Sequence, residues 1–251
     1  MRFLAVAAML LLCAADVVNP AAVPESRDGT PWWHARHTAA VARVRQGHVG
    51  LVWLGDSITE NWARESPQPW FDFLPVWEQF YGDRNAVNLG FKGDRTSHLL
   101  WRMQHGELDG IQPKAAVVLI GANNMGLAHW TAAQTLGGIE AVINELHRRL
   151  PQTRVLLISV LPSERSAYAD AATLDINAGL TARYGHDPAV TYIDVTPLFI
   201  RAGKLDRTAF YDMHLTPPDP LLHPTAQAQA RIAAAIEPAL AGMMGDRVHG
   251  R

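Results

Sequence analysis

Three short apolar runs in this sequence end in residues suited to acyl transfer, and a late loop supplies a fourth. Leu51-Val52-Trp53-Leu54 stops at Gly55-Asp56-Ser57, a second run ends at Asn88-Leu89-Gly90, and a third at Gly121-Ala122-Asn123-Asn124. The late loop reads Asp219-Pro220-Leu221-Leu222-His223-Pro224. A serine hydroxyl is a weak nucleophile until a base takes its proton, and imidazole titrates in the useful range. The imidazole in turn needs an acid to hold its tautomer and stabilise its charged form. A developing oxyanion needs donors, which a glycine N–H and an asparagine NH₂ provide, each worth on the order of 3 kcal/mol. Ser57, His223, Gly90 and Asn123 match those needs. Each also has a plainer reading. Asp56 or Ser57 caps the following helix, Gly90 serves a turn, Asn123 caps a loop, and His223 precedes a helix-starting proline. Short matches carry little singly; their weight comes from converging on one edge.

That convergence depends on the elements that carry them. Apolar runs at 51–54, 86–89, 115–120, 155–160 and 190–195 predict strands. Helical spacing predicts helices over 32–46, 58–64, 96–104, 131–150, 167–184 and 224–241. Alternating strands and helices predict βαβ units, a mostly parallel five-stranded sheet and a three-layer α/β/α sandwich of flavodoxin-like type. Ligands of such sheets bind beyond the carboxyl ends of the strands. No repeat or long linker divides the chain, so one domain is expected over 32–242, with a lead-in at 23–31 and a C-terminal tail at 243–251. The longest unpatterned stretch, 199–222, is rich in Pro and Asp; loops of that length in a domain are functional or disordered.

With 251 residues, 48% of them hydrophobic and 18% charged, the chain can bury a substantial core. A formal net charge of -2 and no basic stripe give no case for nucleic acid as partner. Arg2, an apolar stretch at 3–12 and small residues at Ala14, Ala15, Ala21 and Ala22 have the layout of a secretory signal, with cleavage near 15 or 22. An exported, periplasmic or secreted, protein is expected, without stable membrane insertion after removal. Cys13 is the sole cysteine, so the mature chain would have no cysteine nucleophile, thiolate-bound zinc or disulfide.

On the stretch NLGFKGDRTSHLLWR at 88–102, with Gly106-Glu107-Leu108 and Gly121-Ala122-Asn123-Asn124 behind it, the chain resembles the SGNH subgroup of the GDSL hydrolases. It is particularly similar to the platelet-activating-factor acetylhydrolase 1B catalytic subunits and their bacterial relatives, over roughly 32–240. The resemblance implies an esterase with Ser57 as nucleophile, His223 as base, and the N–H groups of Ser57 and Gly90 with the Asn123 side chain as oxyanion donors. It implies no cofactor and leaves a homodimer open. Two positions depart from the family. Asn124 stands where Asp is frequent, and the acid's usual place, three residues before the histidine, is Pro220. Asp219 is then the favoured acid, through a bulge at Pro220. Asp212, in Asp212-Met213-His214, is its rival.

Short acyl groups, acetyl foremost, on an alcohol, glycan or lipid are the expected substrates. Phe91, Leu127, Trp130 and Leu222 are candidates for narrowing the acyl pocket, and Trp62, Trp70, Trp77 and Trp130 for stacking on sugar, although such residues are more often core. Two other functions remain in view. One is a metal-dependent hydrolase using Asp212, His214, Asp219 and His223; the other is a catalytically weak carbohydrate-binding relative.

Overall fold

All five apolar runs pair side by side in a computed structural model that describes residues 18–250. The chain runs through α1 (Pro31–Arg45), β1 (Leu51–Gly55), α2 (Ser57–Glu60), α3 (Leu74–Tyr81) and β2 (Ala86–Gly90). Next come α4 (Thr96–Gln104), β3 (Ala115–Leu119), α5 (Ala122–Gly126), α6 (Ala132–Arg149) and β4 (Arg154–Ile158). α7 (Ala167–Tyr184) and β5 (Val190–Ile193) follow, then a ribbon of β6 (Ile200–Arg201) and β7 (Lys204–Leu205), and the last helix α8 (Ala226–Met244). The main sheet has the order β2-β1-β3-β4-β5 and every neighbouring pair is parallel. The expected three-layer α/β/α sandwich is what forms.

Side-chain alternation along the strands divides the core. Val52 and Leu54 of β1 pack with Val87, Leu89, Ala116 and Val118 against Leu99, Ile139, Val142 and Ile176 of α4, α6 and α7. Leu51 and Trp53 point the other way, with Ala115 and Val117, onto Trp77 and Tyr81 of α3 and Ile232 and Ile236 of α8. A strand with both faces covered needs an unbroken apolar run, which is why β1 reads as one.

The register brings the site together. Gly55 pairs with Gly90 on one side and Leu119 on the other, so β1, β2 and β3 end level. β1 and β3 flank the point where the strand order reverses, the switch point at which such sheets bind ligands. The segments that leave these three strands therefore open onto one edge. Gly90 lies where the chain crosses α2: a Cβ there would sit 2.2 Å from the Glu60 nitrogen.

Several boundaries differ from the sequence reading. α3 and α5 were not expected, because Pro75 and the brevity of 122–126 hide their periodicity. α8 runs to Met244, and Arg84 holds Glu237 of that helix together with Asp246, so the expected tail begins as helix and is anchored beyond it, although 245–248 are exposed. Ala21 is likewise buried, its carbonyl accepting from Thr96 Oγ1 at 2.7 Å. Most of the expected signal segment, 1–17, lies outside the described residues. Among those described, no helix is long and apolar enough to cross a membrane.

Candidate active site

Ser57 is the first residue of α2, directly beyond β1, and the Asp56 carboxylate before it accepts from the Ile58 N–H at 2.9 Å. The capping reading of Asp56 is therefore correct. Ser57 Oγ lies 3.0 Å from His223 Nε2 although 166 residues separate them. Asp56 is wholly buried, and burial pushes its carboxyl up to about 6 despite the Ile58 hydrogen bond and the attraction of His223.

The carboxylate that meets the imidazole is Asp212, which corrects the expectation of Asp219. His223 Nδ1 is 2.7 Å from Asp212 Oδ1, while Asp212 Oδ2 accepts from the N–H groups of Leu222 at 2.7 Å and His223 at 2.6 Å. Asp212 is 1% exposed, so these donors replace the water it has lost. Asp219 is exposed at the rim of the cleft, and only its backbone N–H turns inward, to the Asp212 carbonyl at 3.1 Å. A bulge at Pro220 is not how the site solves its spacing. Residues 215–221 form an excursion, and the chain on either side of it comes together: Tyr211 N–H donates to the His223 carbonyl at 3.0 Å, and Thr225 N–H to that of Ala209 at 2.8 Å. The pairing delivers Asp212 from eleven residues upstream. The Tyr211 ring lies parallel to the imidazole at 5.4 Å, and its hydroxyl accepts from Asn61 Nδ2 at 3.0 Å.

On the donor side, Gly90 N–H donates to Asn88 Oδ1 at 2.9 Å, and Gly90 packs on the α2 backbone. Beyond it, Phe91 N–H binds the Gly55 carbonyl, Lys92 N–H binds Glu60 Oε2, and Asp94 N–H binds the Phe91 carbonyl. Gly93, at φ +76°, is the residue of 91–94 whose N–H meets no acceptor among the described residues. Its sequence signal was the second glycine of Gly90-Phe91-Lys92-Gly93, since a left-handed backbone favours glycine. Asn123 stands in α5 just past β3, with Nδ2 3.0 Å from the Asp94 carbonyl. Loop 91–94 and Asn123 are thus directly joined. Asn124 ties α5 to α4, accepting from Thr96 N–H at 3.0 Å and donating to Thr96 Oγ1 at 2.8 Å.

Under this loop lies a buried ionic anchor. Asp94 accepts from Arg27 Nη1 at 2.9 Å, Trp33 Nε1 at 2.8 Å and Arg102 Nε at 2.8 Å. Arg102 also donates to the Gly55 carbonyl at 3.2 Å, pairs with Glu107 and covers the Phe91 ring at 3.9 Å. Burial raises the Glu107 carboxyl to about 7 against the pull of Arg102. The network links the end of the nucleophile's strand to the donor loop, giving Arg102 and Glu107 a role that their blocks alone did not reveal.

Other expected contributors fall elsewhere. Phe91 and Leu222 are buried in packing, Leu127 is exposed, and Trp62 and Trp77 join Trp53 and Tyr81 in the core. Trp130 lies under Arg95. Trp70 stacks on His214 at 3.6 Å. Among the described residues no three His, Cys, Asp or Glu side chains gather as a metal would require. The cleft above Ser57 holds about 470 Å³ and is walled by Glu60, Asn61, Arg64, Lys92, Tyr211 and Asp219, among others.

A parallel sheet of this order, with hydroxyl, imidazole and carboxylate in contact at its switch point, describes a hydrolase that acts on esters. The profile of the GDSL-like lipase/acylhydrolase family matches residues 53–231, and the chain belongs to that family. It is 30% identical over 237 residues to platelet-activating factor acetylhydrolase IB subunit alpha1 of Homo sapiens, covering 88% of this chain and 97% of the relative. The alpha2 subunit of Gallus gallus is 30% identical over 79% of this chain and 84% of its own. A GDSL-like lipase from Bacteroides thetaiotaomicron superposes with a TM-score of 0.62 at 18% identity, over 83% of this chain and 97% of that one. A carbohydrate esterase family 3 structure from Talaromyces cellulolyticus gives 0.57 at 16% identity, over 79% and 99%. At these identities the superpositions speak for the fold.

Proposed function

We propose that the protein is a serine esterase cleaving short acyl groups, acetyl foremost, from polar alcohols. The observation that carries the proposal is the unbroken chain from Ser57 Oγ through His223 to Asp212, with contacts of 3.0 and 2.7 Å. His223 takes the Ser57 proton as the oxygen attacks the ester carbonyl, and the imidazolium gains support from Asp212 across Nδ1. The tetrahedral oxyanion is received by the N–H groups of Ser57 and Gly93 and by Asn123 Nδ2. His223 then protonates the leaving alcohol, and water repeats the sequence on the acyl-enzyme.

The charged lining of the cleft supports a short acyl group. Glu60, Asn61, Arg64, Lys92 and Asp219 surround it beside Tyr211 and Leu215, so a long hydrocarbon chain would have to displace water from charged groups to reach the apolar surface between them. The acetylhydrolase name of the relatives and the carbohydrate esterase name of a structural neighbour are consistent with that choice. Export belongs to the same proposal. Cleavage near Ala15 would leave the buried packing of Ala21 intact, whereas cleavage near Ala22 would remove it. A mature N-terminus beyond Ala22, read by sequencing, would contradict the first site.

The test compares p-nitrophenyl acetate, butyrate and octanoate, with and without chelator, for the wild type and Ser57→Ala. We expect kcat/KM to fall with chain length, no chelator effect, and a loss on the order of 10⁵-fold in Ser57→Ala. Activity that survives Ser57→Ala but vanishes with chelator would overturn the serine mechanism.

A further inference from the structure

Asn123 can serve an oxyanion only if its amide keeps nitrogen toward the substrate, and an asparagine side chain has no intrinsic preference between its two ends. We propose that Arg165, in the segment between β4 and α7, is the positioning residue that fixes this orientation and adds positive charge behind the donor. Arg165 Nη1 donates to Asn123 Oδ1 at 3.1 Å. On the other side Asn123 Nδ2 donates to the Asp94 carbonyl at 3.0 Å. A guanidinium offers only donors and a carbonyl only acceptors, so the pair admits one orientation of the amide. The NH₂ has two hydrogens; one goes to Asp94, and the other remains for the substrate.

The guanidinium has a dedicated seat. A Cβ on Gly126 of α5 would fall 2.3 Å from Arg165 Nη1 and 2.4 Å from its Cζ, so the group lies flat where any other residue would put a side chain. Arg165 is half-buried, and burial lowers its pKa while the charges of Asp56 and Asp212 oppose that drop. Its charge therefore acts in a region of reduced dielectric, where hydrogen bonds to charged groups are strengthened. Asn123 is 3% exposed, so without Arg165 its oxygen would face no compensating water.

This inference rests on the serine esterase reading and is tested by a double-mutant cycle on p-nitrophenyl acetate. Arg165→Met is expected to lower kcat about 10- to 100-fold with KM within about 3-fold, because the lost interaction belongs to the transition state. Arg165→Lys should recover part of that loss, since an ammonium can still donate to Oδ1. In an Asn123→Ala background, Arg165→Met should cost less than about 3-fold, because the amide it orients is gone. Gly126→Ala keeps Arg165 but occupies its seat, and should reproduce the kcat loss without lowering the thermal midpoint as a broken core would. An unchanged kcat in Arg165→Met, or an equal loss in both backgrounds, overturns the inference. Unchanged kcat in Asn123→Ala would instead sink the donor assignment on which it stands, so the two failures are distinguishable.

Discussion

On one flank of Ser57 the proposed donors stand beyond strands of the main sheet, whereas on the other the imidazole and its carboxylate ride on chain with no place in that sheet. Gly93 and Asn123 are located by a parallel ladder whose register pairs Gly55 with Gly90 and with Leu119, and by the buried Asp94–Arg102 pair beneath. His223 and Asp212 are located by two stretches of irregular chain that clasp each other through Tyr211–His223 and Ala209–Thr225 backbone bonds, and by α8, which Thr225 caps. The ladder is cooperative and continuous with the core. The clasp rests on a few hydrogen bonds to one carboxylate. A sheet edge can tolerate sequence drift around it and keep its geometry, while the clasp can admit inserted residues, as the excursion at 215–221 shows, provided its acid still returns.

The sharpest way to break this contrast is to remove the charge that closes the clasp. Asp212→Asn is expected to lower kcat by on the order of 10²–10⁴-fold, and Asp219→Asn by less than about 3-fold. Steady-state kinetics on p-nitrophenyl acetate rank the two, and the opposite ranking would return the role to Asp219.

The donor flank separates through its two glycines. Gly90→Ala places a Cβ against the Glu60 backbone and should cost about 1–3 kcal/mol of stability, seen as a lower denaturation midpoint. Gly93→Ala has no backbone in its way but sits at φ +76°, where an alanine is strained. It should retain the fold and lose roughly 10-fold or more in kcat as the unpaired N–H moves. If Gly90→Ala were instead folded as wild type and slow, the donor would lie there.

An effect on stability alone, confined to acid pH, concerns the nucleophile's own cap. Folding raises the Asp56 carboxyl to about 6 from an ordinary 3.8, so the native state holds that proton more tightly than the unfolded chain. Its contribution is therefore favourable at low pH, lost as pH rises from about 4 to about 6, and constant above. Asp56→Asn retains a capping oxygen and removes the titration. The stability of the variant relative to wild type should rise across that window by at most about 3 kcal/mol and then level off, measured by urea unfolding at several pH values. A difference that does not vary with pH would mean that Asp56 titrates as an ordinary carboxylate.

Much of this was legible in the chain itself, for reasons that are local. Short continuous apolar runs such as 51–54, bounded by turn residues, read as strands covered on both faces, and the helices at 96–104 and 167–184 read at their observed limits because their signals lie within the segment. Ser57 and Asn123 were visible because each follows such a run. The Asn88 contact that occupies the Gly90 N–H could not be read from the chain, nor could the left-handed backbone of Gly93, which leaves no mark beyond the glycine itself.

Sequence alone determined the layers, the strand-end positions and the residue types that perform the chemistry, because hydrophobic period and turn chemistry act over a few neighbours. Tertiary structure decided which carboxylate serves His223, which N–H stays unpaired and which way the Asn123 amide faces. Those outcomes hang on contacts between residues far apart in the chain, Asp94 with Arg27, Arg165 with Asn123 and Ser57 with His223, and no local pattern records who meets whom.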